Sequence, residues 1–277
     1  MPLQYHTALG VRSEASTLQS NTLGIELVSG ADAKGSWNAL ISSTAFAYEY
    51  VVLSFAVPDL DDTHKDYLVD LGVYDGSANY WVIAADLRLQ GTRYTEEMAS
   101  NVVLPLHIPA GLRVSARTRC DTNGRSIYAM LQGFSSGPMG APGFSRCIAL
   151  YSPSSNRGVS VDPGGTVNTR VRTQIISSSS ERIAGIFAMI GPDGHTTETN
   201  LGMYMMDIET GASSSERILV PNLHLSLGYS CHSRYPQQTH IYPCDVPTGQ
   251  RFSVNVQCSS SDTTYRCLDV ALYGLVP

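Results

Sequence analysis

The stretches "LHIPAGLRVSARTRC" (Leu106–Cys120) and "CDVPTGQRFSVNVQC" (Cys244–Cys258) decide how this chain reads. Both carry Pro-x-Gly-x-Arg-x-Ser and both end in Cys. In the first, Val114, Ala116 and Thr118 share one face, while Arg113, Ser115, Arg117 and Arg119 share the other. In the second, Phe252, Val254 and Val256 oppose Arg251, Ser253, Asn255 and Gln257. A period of two with one apolar face is the pattern of a half-buried strand in an antiparallel sheet. The preceding Pro-x-Gly is a turn, with Pro at a ladder edge and Gly where positive φ is needed.

The pair belongs to a longer collinear repeat. "TLGIELVSG" (22–30) matches "NRGVSVDPG" (156–164), and "ISSTAFAYEYVVLSFAVPD" (41–59) lines up with "ISSSSERIAGIFAMIGPD" (176–193). "VDLGVYDGSA" (69–78) corresponds to "YMMDIETGAS" (204–213), and "SIYAMLQGF" (126–134) to "CLDVALYGL" (267–275). Order is kept throughout at a nearly constant spacing, so the chain reads as a duplicated domain, each copy too large for a solenoid repeat. Between the copies lies "SSGPMGAPGFSR", dense in Gly, Pro and Ser, which is linker chemistry. The expected division is 1–134, a linker at 135–146, and 147–277.

Strand-like runs in the first copy fall at 23–28, 37–42, 48–56, 67–74, 80–89, 102–108, 112–120 and 127–134. That number in so short a stretch suits a two-sheet sandwich of jelly-roll type, and the quoted motif is the turn and penultimate strand of each copy. An immunoglobulin-type sandwich needs fewer residues. The expected fold is all-β: two tandem antiparallel β-sandwich domains, jelly-roll-like, related by internal duplication. One helical turn or two is expected at "RYTEEMASN" (93–101).

Composition supports this. Of 277 residues only 15% are charged, and the net charge is −6. No run of basic residues offers a footprint for nucleic acid or an anionic membrane. No apolar run approaches a bilayer span, and "MPLQYHTALG" has neither a basic n-region nor an apolar h-region. The expectation is therefore no export signal, no nucleic acid and no membrane insertion.

Candidate chemistry is sparse. "GFSSG" (133–137) matches a nucleophile elbow, but "PMGAPG" cannot form the helix that motif requires, so Ser135 reads as linker. "PDLDDTHKD" (58–66) gathers Asp59, Asp61, Asp62, His64 and Asp66. Such carboxylates can ligate Ca²⁺, and Asp59, Asp61 and Asp62 are the candidate metal ligands. The corresponding "GPDGHTTET" keeps Asp193 and His195 but loses most of the acid, and no EF-hand glycine and distal Glu follow. A solvated connection is the simpler reading. The histidines show no zinc spacing, and no Gly-rich phosphate cradle opens a helix. No cofactor is expected apart from that Ca²⁺.

Alternation places Cys120 and Cys258 on apolar faces as buried thiols. Cys231 and Cys244 flank "HSRYPQQTHIYP" and are spaced to close it by a disulfide. Reduced cysteines are the default where no export signal is seen. That loop, with Tyr235, His240 and Tyr242, is the expected contact-making loop. Trp37 and Trp81 lie in strand-like runs of the first copy, and aromatic content alone does not separate a glycan platform from a protein interface.

Tandem small sandwiches, a Pro/Gly linker, few charges and the phrase "IPAGLRVSARTRC … IYAMLQGF" resemble virion proteins of tailed bacteriophages: decoration, head-fibre, tail or baseplate components. The resemblance implies a subunit located on the virion, docking on capsid or tail proteins and self-associating as a homo-oligomer. A carbohydrate- or host-receptor-binding module, with a host surface glycan as ligand, is the second reading. No pair of acids and no nucleophile–base constellation can be assigned, so the chain is expected not to be an enzyme.

Overall fold

The computed structural model describes residues 4–7, 10–13, 24–57, 65–77, 79–91, 98–121, 124–135, 144–152, 157–192, 202–226, 237–261 and 267–277. The chain folds as two compact units, Met1–Ile148 with Pro277 and Ala149–Val276.

The first unit contains β1 (Ile25–Val28), β2 (Asn38–Ile41), β3 (Tyr50–Val57), β4 (Lys65–Tyr74), β5 (Trp81–Gly91), β6 (Met98–Leu104), β7 (Arg113–Cys120) and β8 (Ser126–Phe134). One sheet runs β1-β8-β3-β6 and the other β2-β7-β4-β5. These pairs are antiparallel, and neighbours in space are mostly not neighbours in sequence, which is the jelly-roll arrangement. A hairpin, Gln4–Thr7 with Gly10–Ser13, extends the first sheet beside β8.

The second unit contains β9 (Val159–Val161), β10 (Val171–Ile176), β11 (Ile183–Pro192), β12 (Met203–Thr210), β13 (Arg217–Ser226), β14 (Tyr242–Val246), β15 (Phe252–Cys258) and β16 (Leu268–Val276). Its sheets run β9-β16-β11-β14 and β10-β15-β12-β13. Adding eight to each label of the first unit reproduces the pairing of the second. The chain is all-β, built of jelly-roll-like antiparallel sandwiches.

The inward faces follow the alternation. Val51, Leu53 and Phe55 of β3 lie beside Ile127, Ala129 and Leu131 of β8 on one face of their sheet, all buried. On β7, Val114, Ala116, Thr118 and Cys120 are buried while Arg113 is exposed; on β15, Val254, Val256 and Cys258 are buried. Met98–Asn101 is strand, not helix, paired through Val57↔Met98 to Ser54↔Asn101. Local helix propensity there yields to an apolar strand that completes a sheet edge. Of the expected helix, 93–97 lies outside the described residues. So does most of the expected linker, at 136–143.

The repeated turn has a physical cause. Gly111 and Gly249 sit at φ 85° and 86°, conformations in which a Cβ is strained. Each turn is clamped by a buried hydroxyl residue upstream. The Thr44 N–H donates to the Leu112 carbonyl (2.8 Å), the Gly111 N–H to the Thr44 carbonyl (2.8 Å), and Thr44 Oγ1 to the Pro109 carbonyl (2.7 Å). In the second unit the Ser179 N–H donates to Gln250 (2.8 Å), the Gly249 N–H to Ser179 (2.9 Å), and Ser179 Oγ to Pro247 (3.5 Å). The "ISST" and "ISSS" that begin matching segments therefore end on the residue that pins the matching Pro-x-Gly.

Candidate functional site

The outer faces of the β2-β7-β4-β5 and β10-β15-β12-β13 sheets each carry an ion-pair network, joined in the first unit by an aromatic ladder. Asp70 projects from β4 opposite Arg117 of β7 and is nearly buried. Its Oδ1 accepts from Lys34 Nζ (2.7 Å) and from the Asp86 N–H (3.0 Å), and its Oδ2 accepts from Arg117 Nε (2.9 Å). Asp86 stands at φ 52° where the β4-β5 register slips, and its own carboxylate takes Lys34 Nζ at 2.6 Å. Asp and Asn tolerate this left-handed conformation better than other side chains.

The second unit repeats the device. Asp207 of β12 lies opposite Asn255, accepts from the Asn222 N–H (2.7 Å), and is ion-paired to Arg170. Asn222 stands at φ 53° at the β12-β13 register slip, and its Oδ1 accepts from Arg170 at 2.8 Å. A cation just before the second strand thus clasps a buried Asp and a left-handed bulge residue in both units.

What lies beside the clasp differs. In the first unit the Trp37 indole points edge-on at Gly72, where a Cβ would come within 2.7 Å of its Cη2. Tyr80 stacks on Trp37 (centroids 4.7 Å apart, planes at 16°), and Arg117 lies over the indole at 4.5 Å. Tyr74 follows at 5.1 Å from Tyr80, and the Arg113 guanidinium lies 5.4 Å from the Tyr74 ring centre. The result is a five-member ladder, Arg117–Trp37–Tyr80–Tyr74–Arg113.

In the second unit the same register positions hold an ionic network. Glu209 stands where Gly72 does, and Arg172 where Trp37 does. Arg172 donates to Glu209 through Nε (2.6 Å) and Nη2 (3.1 Å) and pairs with Glu216 at 3.2 Å. Arg251 donates to Glu216 (2.7 Å) and to Gln174 (2.8 Å). A large ring needed a glycine beneath it; an arginine found a glutamate.

The Arg251 hydrogen bond, and secondarily the charges of Arg172 and Arg251, hold the Glu216 carboxyl below its usual range. Because the folded-state pKa is depressed, the stabilisation is present above the unfolded value and lost as pH falls through the folded one. Unfolding the second unit at a series of pH values is expected to show stability dropping as pH falls through and below the ordinary carboxylate range. Glu216→Gln is expected to flatten that limb.

Of the sites expected from sequence, Asp59, Asp61, Asp62, Cys231 and Tyr235 lie outside the described residues. Among the described residues no group of three or more His, Cys, Asp or Glu is placed to hold a metal ion. His240 and Tyr242 meet edge to face at 6.5 Å. The Cys244 thiol donates to the Ile183 carbonyl (3.7 Å), and burial pushes its pKa up to about 11. Cys120 and Cys258 are buried, and no described helix is long and apolar enough to cross a membrane. The clasps and the ladder were not anticipated. The clasp residues recur at a nearly constant spacing (34 to 170, 70 to 207, 86 to 222), and that is the signal that could have found them; the ladder left no such signal.

No protein-family model matches the chain, and no curated protein matches it in sequence. Among solved structures, an N-glycanase F (PNGase F) aligns with 99% of this chain and 95% of its own at 10% identity and TM-score 0.42. The CBM22-1–CBM22-2 tandem domain of Paenibacillus barcinonensis Xyn10C aligns over 98% and 91% at 8% identity and TM-score 0.29. A structure of infectious bursal disease virus, Gx strain, aligns over 99% and 71% at 8% identity and TM-score 0.29. The structural neighbours thus include viral capsid and carbohydrate-binding proteins. The expectation that the chain is not an enzyme is corrected by the first of these. That glycanase aligns with nearly the whole of this chain, and an all-β fold does not by itself exclude catalysis.

Proposed function

We propose that the chain is a structural subunit of a virus particle of the tailed-bacteriophage kind, docking on capsid or tail neighbours and self-associating through its first unit. The two units are read as descendants of one duplicated sandwich, which the shared pairing scheme, turn clamps and ion clasps support. The observation that carries self-association is the outer face of the β1-β8-β3-β6 sheet. Opposite the buried side chains it presents Val52, Ala56, Tyr128 and Met130, with Tyr50 stacked on Phe134 at 4.4 Å. Val28 and Val103 on the same face are 48% and 38% exposed. Glu26 is the one charge among the described outward residues of these strands. A face without ion pairs complements another such face. The outer sheets bearing the clasps are laced with charge, which leaves the same face of a second copy as the matching surface.

Light scattering behind gel filtration tests this. The chain is expected to associate increasingly with concentration, and Val103→Lys, which places an ammonium in the face at an exposed position, is expected to yield monomers with unchanged circular dichroism. A parent chain that stays monomeric up to its solubility limit, or a lysine variant that associates equally well, overturns it.

A further inference from the structure

The register that equates the two units also identifies an unanswered cation. Arg113 opens β7 as Arg251 precedes β15, and both flank the repeated turn. In the second unit Arg251 is satisfied by the Glu216 carboxylate at 2.7 Å and the Gln174 amide oxygen at 2.8 Å. In the first unit the arginine is kept, but those two positions are Tyr80 and Ala39. Arg113 is exposed, no described carboxylate pairs with it, and its guanidinium is laid over Tyr74. The nearby Asp75 carboxylate is turned onto the Ser77 N–H at 2.8 Å.

We infer that Arg113, with the exposed rim of the aromatic ladder, is a docking site for a carboxylate carried by an acidic polypeptide segment of a neighbouring protein. An arginine fork matches a carboxylate in two parallel hydrogen bonds, and stacking holds the fork in place before the partner arrives. Trp, Tyr and Arg grouped together are the side chains that dominate protein interfaces. A sugar is the poorer fit. Sugar stacking needs a free ring face, and here the Trp37 faces are taken by Arg117 and Tyr80, and Tyr80 and Tyr74 lean on one another. The second unit shows the geometry with a carboxylate in place, supplied by its own Glu216. This rests on the assembly reading only for where such a segment would come from.

The chain has two tryptophans, so Trp81→Phe leaves Trp37, inside the ladder, as the sole indole reporter. In that background, capped hexaglutamate is titrated at low ionic strength while Trp37 emission is followed, with hexaglutamine and sialyllactose in parallel. Hexaglutamate is expected to give a saturable change, weakened by salt and by about tenfold in Arg113→Gln, with Arg113→Lys in between. Arg182→Gln, which removes an exposed cation of the second unit, is expected to leave the titration unchanged. Absence of saturation, equal affinity in Arg113→Gln, or saturation by sialyllactose instead overturns the inference. Binding by a chain that stays monomeric would sink the self-association reading alone; a chain that associates but ignores hexaglutamate would sink this one alone.

Discussion

Asp70→Ala is expected to destabilise the first unit by about 3–5 kcal/mol, the usual cost of removing one partner from a buried ion pair. The loss is large because one carboxylate answers three donors: Lys34, Arg117 and the Asp86 backbone N–H. Alanine leaves Arg117 without its anion, Lys34 with Asp86 alone, and a left-handed bulge without its anchor. Against a domain stability of roughly 5–15 kcal/mol, that is a large fraction of the total. Asp70→Asn keeps an acceptor for the Asp86 N–H and is expected to fall between. Asp32→Ala, at a carboxylate 66% exposed and 3.6 Å from Arg119, is expected to stay within about 1 kcal/mol. Urea midpoints rank the variants, and amide exchange at 67–73 and 81–89 localises the loss. If Asp70→Ala melts with the Asp32→Ala control, the clasp is decoration on a fold that other forces hold.

How much of this was legible depends on where each residue's partners lie. Strand-like runs were readable because alternation is local: Val114, Ala116 and Thr118 announce an inward face from seven consecutive residues. The recurring turn was readable because its glycine is required by backbone geometry, which both units share. The clasp was not. "VDL" around Asp70 looks like any strand placing an acid on its solvent face, and nothing near it in sequence shows that Lys34 and a slipped residue at 86 converge there. The ladder was hidden for a related reason. Trp37 and Tyr80 meet because β2 and β5 flank β7 and β4 in one sheet, a consequence of jelly-roll order rather than of any motif. Over 98–101 the expected helix gave way in the opposite manner. Its local propensity was visible, and the pairing of Met98–Leu104 with β3 that overrides it was not.

The last strand of each unit also has a glycine, Gly133 in "QGF" and Gly274 in "YGL", and here sequence and packing meet. The "GFSSG" motif offers Gly133 as part of a nucleophile elbow; the structure assigns it a packing role. A Cβ at Gly133 would lie 2.4 Å from Cε2 and 2.5 Å from Cδ2 and Cζ of Tyr48, whose ring is fully buried. At the equivalent Gly274 a Cβ would lie 2.5 Å from Cδ1 of Ile183, the residue matching Tyr48 in the repeat. The large side chain differs between the units and the glycine does not, because each strand must let a bulky neighbour lie directly on its backbone. Gly133→Ala is therefore expected to cost the upper part of roughly 1–3 kcal/mol, the range for forcing atoms into a packed core. The cost arises because the Tyr48 ring has no open side to move toward, and because its backbone is pinned to Ile108 by hydrogen bonds of 2.8 and 3.0 Å. Gly111→Ala makes an instructive partner. No atom lies within 4 Å of a Cβ there, so only the positive φ is penalised, and a loss of about 1 kcal/mol is expected. Urea unfolding separates the two, and near-ultraviolet circular dichroism should register displacement of the Tyr48 ring in Gly133→Ala alone. An alanine at 133 as mild as the one at 111 would mean the ring slides aside freely, and the retained glycine would then need another explanation.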